Sequence, residues 1–101
     1  METKHDAQLQ IELKEDVAEG VYSNLAVIAH SSSEFVMDFV RIMPGVAKAQ
    51  VKTRVIMTPE HAKRLAMALH DNIRKYERMF GEIRLPERQD YVPSSPFKGE
   101  A

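Results

Sequence analysis

The sequence predicts an α+β fold: about four antiparallel β-strands followed by one long amphipathic C-terminal α-helix packed on the sheet. Two observations lead to this prediction. Between residues 8 and 57, apolar side chains recur at every second position in short runs separated by turn residues, which is typical of half-buried strands. From residue 58 onward they recur every three or four positions, which is typical of an amphipathic helix.

The first predicted strand lies near the N-terminus. Leu9, Ile11 and Leu13 alternate with polar residues, so that one face of an extended chain would be apolar. The acidic stretch over residues 15–20 ends in Gly20, and glycine adopts a positive φ easily. We therefore expect this stretch to be a connection between the first two strands.

The next two apolar runs, residues 21–30 and 34–43, predict a β-hairpin. Three consecutive serines, residues 31–33, separate the two runs, and Pro44-Gly45 marks the turn that follows them. A helix over residues 35–42 is an alternative, because short apolar runs are ambiguous. The enrichment in Phe, Val and Ile, together with the bounding turns, favours a strand.

A fourth strand and the helix complete the predicted fold. Val51, Val55 and Met57 mark the strand, although Thr53 interrupts its apolar alternation. Thr58 can cap free backbone N–H groups, and Pro59 suits the first helical position. The helix then ends at Gly81. Its apolar positions are Ala62, Leu65, Ala66, Leu69, Ile73, Tyr76 and Phe80.

The chain has 101 residues, the size of one domain. We assign that domain to residues 7–85, with a disordered N-terminus over residues 1–6 and a disordered Pro- and Ser-rich tail over residues 86–101. The formal net charge of −1 disfavours a protein that coats duplex nucleic acid, and the lack of cysteine excludes disulfides and zinc–thiolate sites. No apolar run reaches the roughly 20 residues of a membrane helix and no signal sequence is present, so we expect a cytoplasmic protein without membrane association.

Several short motifs are distributed along the chain. They are Tyr22-Ser23-Asn24, Ser31–Ser33, Glu34-Phe35 with Asp38-Phe39, Thr58-Pro59, and Tyr76-Glu77 with Phe80-Gly81. In these motifs the chain resembles a family of small uncharacterised prokaryotic proteins, classed as a domain of unknown function. The resemblance covers about residues 9–83 and implies a compact domain, without implying an activity.

The best cluster of titratable residues consists of His30, Glu34 and Asp38, which could converge across the serine turn. A metal site or a general base needs about that many groups within reach. The spacing matches no metal-binding signature, and a solvated sheet face is the favoured explanation. We therefore predict no enzymatic activity, no catalytic residues, no cofactor and no metal.

The predicted function is that of a small, non-enzymatic, self-associating protein-interaction module, an adaptor or a regulatory subunit, that forms a homodimer. The helix is expected to cover one apolar sheet face, formed by Leu25, Val27, Phe35, Met37 and Phe39. A second face would then remain for self-association or for another protein partner. Its residues are Ala26, Ile28, Val36, Val40 and Ile42.

The alternative is a protein that binds single-stranded nucleic acid through a basic sheet face, with Tyr22 available for stacking. The order of strands and helix resembles that of Pur-type nucleic-acid-binding repeats, which is an analogy of fold alone. The predicted basic face consists of Arg41, Lys48, Lys52 and Arg54. Clustering of these residues on an open face would favour this alternative, whereas a covering partner chain would favour self-association.

Overall fold

A computed structural model of the protein describes residues 9–86. Along the chain the elements are α1 (Glu15–Ala18), β1 (Leu25–His30), β2 (Phe35–Arg41), β3 (Gln50–Met57) and α2 (Pro59–Phe80). The three strands form one antiparallel sheet in the order β1-β2-β3. The α+β class and the long C-terminal helix are thereby confirmed. The disorder predicted for residues 1–6 and 86–101 falls, apart from Pro86, outside the described residues.

The strand predicted around Leu9, Ile11 and Leu13, the first of the four expected, does not form within the described residues. Residues 9–14 are exposed and pair with no strand among residues 9–86, although Leu9, Ile11 and Leu13 alternate as expected. Alternation of apolar and polar residues is compatible with a strand, but a strand forms only when its backbone pairs with a neighbouring strand. The acidic stretch after it forms the short helix α1, where the Val17 and Ala18 N–H groups donate to the Lys14 carbonyl at 3.0 and 2.9 Å.

The hairpin between β1 and β2 forms as predicted. Ser31 Oγ accepts hydrogen bonds from the N–H groups of Ser33 and Glu34, at 3.1 and 3.2 Å. The Ser31 N–H donates to the Glu34 carbonyl at 2.9 Å and closes the turn. Serine supplies this local bonding readily, and the serine run therefore marks the turn correctly.

The strand register divides the sheet into two apolar faces. Leu25 lies opposite Val40, Val27 opposite Asp38, and Ala29 opposite Val36. Directly opposed residues share a face. The first face, called here the Val face, carries Leu25, Val27, Ala29, Val36, Asp38, Val40, Val51, Arg54 and Ile56. The second, called the Phe face, carries Ala26, Ile28, His30, Phe35, Met37, Phe39, Arg41, Gln50, Thr53, Val55 and Met57.

This register corrects both predicted groupings of apolar residues. Leu25 and Val27 were expected on the face of Phe35 and Phe39, and they lie on the Val face instead. The alternation within β1 and within β2 was right. The relation between the strands was not, because it depends on which residues the serine turn places opposite each other.

A β-bulge interrupts the pairing of β2 with β3. Phe39 pairs with Thr53 and Val40 pairs with Val51, which leaves Lys52 as the extra residue. The extra residue shifts the alternation by one position, so that Thr53 and Val51 lie on opposite faces. The bulge therefore places Val51 on the Val face, away from Val55 and Met57, whereas Thr53 shares their face as the sequence predicts.

Helix α2 begins and ends where the sequence predicts. Thr58 Oγ1 accepts a hydrogen bond from the His61 N–H at 3.1 Å, and Pro59 occupies the first turn. Gly81 has a φ of 100°, which favours glycine, and its N–H donates to the Glu77 carbonyl at 2.9 Å. Neither helix within residues 9–86 combines the length and the apolar composition needed to cross a membrane.

The expected packing of α2 on the sheet is wrong. No residue of the helix is buried, and the contacts between elements in the described part of the chain are concentrated in the two strand pairings. On the apolar side of the helix, only Ala62 and Leu65 are even half-buried. Between residues 9 and 86, the buried residues are Val40, Met57 and Asp38.

Candidate interaction surface

Helix α2 presents a continuous apolar stripe, called here the helix stripe, along one side. The stripe consists of Leu65, Leu69, Ile73, Tyr76 and Phe80, with Ala62 and Ala66 between them. The rings of Tyr76 and Phe80, one turn apart, lie 4.9 Å from each other, which shows that they share this side. The sequence identified these residues, but it assigned them to the core.

Exposure of the helix stripe increases beyond its first turns. Leu69 is 56 % exposed and Phe80 is 68 % exposed. From Ala66 to Phe80 the helix extends about 22 Å with its apolar side uncovered, at 1.5 Å per residue. An isolated helix of this length is marginal in water, and its stability in proteins comes mostly from burial of the apolar side. The helix stripe is therefore a candidate interaction surface.

The Phe face of the sheet is also incompletely covered. Ile28 and Val55 are exposed, and Phe35, Met37 and Phe39 are half-buried. Thr53 is polar in the central region of this face, and Arg41 lies at the end of β2. His30 stacks on Phe35 with ring centroids 5.2 Å apart. This chain thus contains an apolar helix side and an apolar sheet face that do not cover each other.

An ion pair between a buried aspartate and a partly exposed arginine characterises the Val face. Asp38 is 2 % exposed, and Arg54 donates to its two carboxylate oxygens from Nε at 2.6 Å and from Nη2 at 2.8 Å. These hydrogen bonds hold the pKa of Asp38 below its ordinary value, against the opposing effect of burial, and the same bonds raise the pKa of Arg54. The two residues pair across β2 and β3, so that this interaction stabilises the strand register.

The titratable residues His30, Glu34 and Asp38 do not converge. His30 lies on the Phe face, Asp38 lies on the Val face against Arg54, and Glu34 belongs to the exposed turn. No group of three side chains that could hold a metal ion occurs within residues 9–86. Opposed residues of this hairpin, such as His30 and Phe35, are an odd number of positions apart. His30 and Asp38 are an even number of positions apart on different strands, so they lie on opposite faces.

The predicted basic face is divided in the same way. Arg54 lies on the Val face and forms an ion pair with Asp38, whereas Arg41 lies on the Phe face. Lys52 is the bulge residue, and Lys48 lies in the loop before β3. These four cations therefore do not form one surface.

The predicted self-association residues do not share a face either. Ala26 and Ile28 lie on the Phe face, whereas Val36 and Val40 lie on the Val face, with Val40 buried. Ile42 follows β2, where its N–H donates to Asn24 Oδ1 at 2.8 Å and its carbonyl accepts from Asn24 Nδ2 at 3.1 Å.

Two polar motifs of the sequence have structural roles. Asn24, through its bonds to Ile42, joins the start of β1 to the end of β2, and the Ser23 hydroxyl lies 3.0 Å from the Leu25 carbonyl and 3.1 Å from the Val40 carbonyl. Asn72, the polar residue beside the helix stripe, donates to the Ala68 carbonyl at 2.9 Å. Short polar side chains compete for backbone groups in this way, and none of these bonds indicates a ligand.

Comparison with known proteins gives one match. The model of a family described as a protein of unknown function (DUF3467) matches residues 1–85, which is most of the chain. No curated protein and no solved structure matches it.

Proposed function

The chain belongs to the DUF3467 family of proteins of unknown function, and we propose that it is a self-associating protein-interaction module, an adaptor or small regulatory subunit. The observation that supports this proposal is the small core: the buried residues within 9–86 are Val40, Met57 and Asp38. Burial of apolar surface is the main favourable contribution to folding, and three buried residues supply little of it. The core of this fold is completed when a second copy covers the helix stripe and the Phe face.

The uncovered apolar area has the size that a dimer needs. Six large apolar side chains of the helix stripe and the Phe face remain exposed: Ile28, Val55, Leu69, Ile73, Tyr76 and Phe80. At roughly 50–100 Å² for each, they present about 450 Å². A standard interface takes about 800 Å² from each partner, of which roughly 57 % is apolar, so this area matches the apolar part of such an interface.

A second copy is the partner that the proposal selects. The chain contains both the helix stripe and the Phe face, and each is a suitable cover for the other on a neighbouring copy. A symmetric dimer uses both surfaces twice, and two-fold symmetric dimers are the commonest soluble oligomers.

Light scattering on a matched pair of variants tests the proposal. Leu69→Asp places a charge within the helix stripe, and we expect it to abolish the dimer of the parent protein, with a loss of affinity of at least a hundred-fold. Met67→Asp introduces the same charge on the opposite side of the helix, where Met67 is 65 % exposed, and we expect it to leave the dimer intact. A monomeric parent protein, or equal effects of the two variants, would contradict the proposal.

Single-strand nucleic-acid binding stays a prediction from the sequence, and no contact in the described chain favours it. Its test is fluorescence anisotropy with labelled oligonucleotides at low salt. Lys48→Glu/Lys52→Glu is the suitable variant, because it leaves the Asp38–Arg54 pair intact. Salt-sensitive binding by the parent protein that this variant loses would establish the alternative.

A further inference from the structure

We infer that residues Leu9–Leu13 of one copy add as a β-strand to the free edge of β1 in a second copy. This inference rests on the proposed self-association and names a contact within it. The segment belongs to no helix or strand, and Leu9, Ile11 and Leu13 are exposed, with Ile11 at 89 %. Its backbone makes no hydrogen bond to any other described residue. An alternating apolar segment in this state has the pattern of a strand without its sheet.

The free edge of β1 is a suitable acceptor. The strand reads Leu-Ala-Val-Ile-Ala-His, without proline, charge or bulge. The Ser31 N–H donates to the Glu34 carbonyl, so the backbone groups of Ser31 point toward β2. Because these groups point to opposite sides at successive residues of a strand, those of Ala26, Ile28 and His30 point away from β2. Proteins usually protect such an edge, because unpaired N–H and C=O groups accept another strand.

The other edge of the sheet is protected. In β3, the bulge at Lys52 interrupts the ladder, and the charged Lys52 and Arg54 lie on this strand. Bulges and charged residues are the devices that discourage strand addition. The contrast between the two edges selects β1 as the one that takes a further strand.

The donor of the strand is a second copy. Residues 14–24 could return the segment to β1 of its own chain, but α1 and the turn at Gly20, with a φ of 81°, occupy this connection and the segment does not lie on β1. Exchange between two copies extends each sheet to four strands and gives each Leu9–Leu13 segment a partner. The apolar row of the segment then enlarges one face of the sheet beside β1.

Disulfide trapping tests whether the strand comes from a second copy or from the same chain. The sequence contains no cysteine, so any disulfide must join the introduced residues. A tagged Ile11→Cys chain is refolded together with an untagged chain carrying Ile28→Cys or Val27→Cys, which place the acceptor on either face. We expect a disulfide-linked pair of tagged and untagged chains with one of these two acceptors. Lys63→Cys, on the polar side of α2, is the control that stays unlinked. No link above that control, or a link that forms only within one doubly substituted chain, overturns the inference.

Residue-level hydrogen exchange tests the strand pairing independently. In the parent protein we expect the Ala26, Ile28 and His30 amides to exchange at least ten-fold more slowly than the Ile56 amide, which faces the free edge of β3. The Ile11→Pro/Glu12→Pro variant covers both phases of the alternation, and it is expected to abolish this difference. A dimer by light scattering whose β1 edge amides exchange as fast as Ile56 leaves the proposed function standing and overturns the strand exchange. A monomeric parent protein overturns both.

Discussion

The sheet and helix α2 differ in how far their apolar residues are buried within the chain. In the sheet, each strand pairs with a neighbour, and Val40, Met57 and Asp38 are buried. Helix α2 is longer than any strand and has clear capping residues and a continuous apolar stripe, yet none of its residues is buried. Capping residues and apolar periodicity are therefore sufficient to define a helix, but they do not provide the surface that covers it.

The two regions also differ in where their stabilising contacts come from. The hydrogen bonds of the sheet lie within one chain, and the Asp38–Arg54 pair links its central and edge strands. In the proposed assembly, the helix stripe is covered by a second copy of the chain. Experiments that separate these two sources of stability are therefore the sharpest tests of the comparison.

The largest expected effect is a dependence of thermal stability on protein concentration. If folding and dimerisation are coupled, as the small core implies, then the unfolding midpoint should rise by about 5 °C for each ten-fold increase in concentration. Calorimetry over a hundred-fold range measures this rise. A midpoint that does not change with concentration would mean that one chain folds alone. It would contradict the proposal that a second copy covers the helix stripe.

The next effect concerns the ion pair of the sheet. Asp38→Ala removes a buried acceptor of two charge-assisted hydrogen bonds, so we expect the unfolding midpoint to fall by roughly 5 °C or more. Glu34→Ala, in the exposed turn, is the control and should change the midpoint little. Thermal unfolding at one fixed protein concentration compares them, and equal midpoints would remove Asp38 from the stabilising contacts.

The same pair predicts an acid-sensitive stability. Because the pKa of Asp38 is lowered in the folded protein, its contribution is fully present above the ordinary carboxyl value of 3.8 and is lost as the pH falls through the lower, folded-state value. Unfolding midpoints measured from pH 6 to pH 2 should therefore fall below about pH 4, and by less in Asp38→Asn than in the parent protein. Parallel pH profiles of the two proteins would contradict this assignment.

A smaller effect is expected at the start of α2. Thr58→Ala removes the side-chain cap on the His61 N–H and should lower the free energy of unfolding by about 1 kcal/mol. Thr58→Ser keeps the hydroxyl and is expected to restore most of this loss. Urea unfolding measures both variants, and equal losses would show that the methyl group matters rather than the cap.

The smallest expected effect is on the exposed polar side of the helix. Glu60 and Arg64, one turn apart, form an ion pair of 2.7 Å in solvent. Exposed pairs of this kind contribute roughly 0.2–0.5 kcal/mol, so Glu60→Gln should be nearly silent in the same urea titration. A loss as large as that of Thr58→Ala would indicate that this side of α2 is also covered by a partner.

Most elements of the fold could be predicted because they depend on neighbours along the chain. The serine turn, the cap at Thr58 and the stop at Gly81 are satisfied by residues within a few positions. The candidate surface could be predicted only in part. The helix stripe was visible as a pattern, but whether its apolar side faces its own sheet or solvent depends on a cover that periodicity does not describe.

The sequence by itself determined the α+β class, the hairpin, and the bounds of α2, since turn bonding, capping and apolar periodicity are local. The tertiary structure decided the rest. Strand register divided Ala26 and Ile28 from Val36 and Val40, and it separated Arg41 from Arg54. It also left Leu9–Leu13 without a strand partner among the described residues. The physical reason is that pairing and burial join residues that are distant along the chain, and a one-residue change of register moves a side chain to the opposite face.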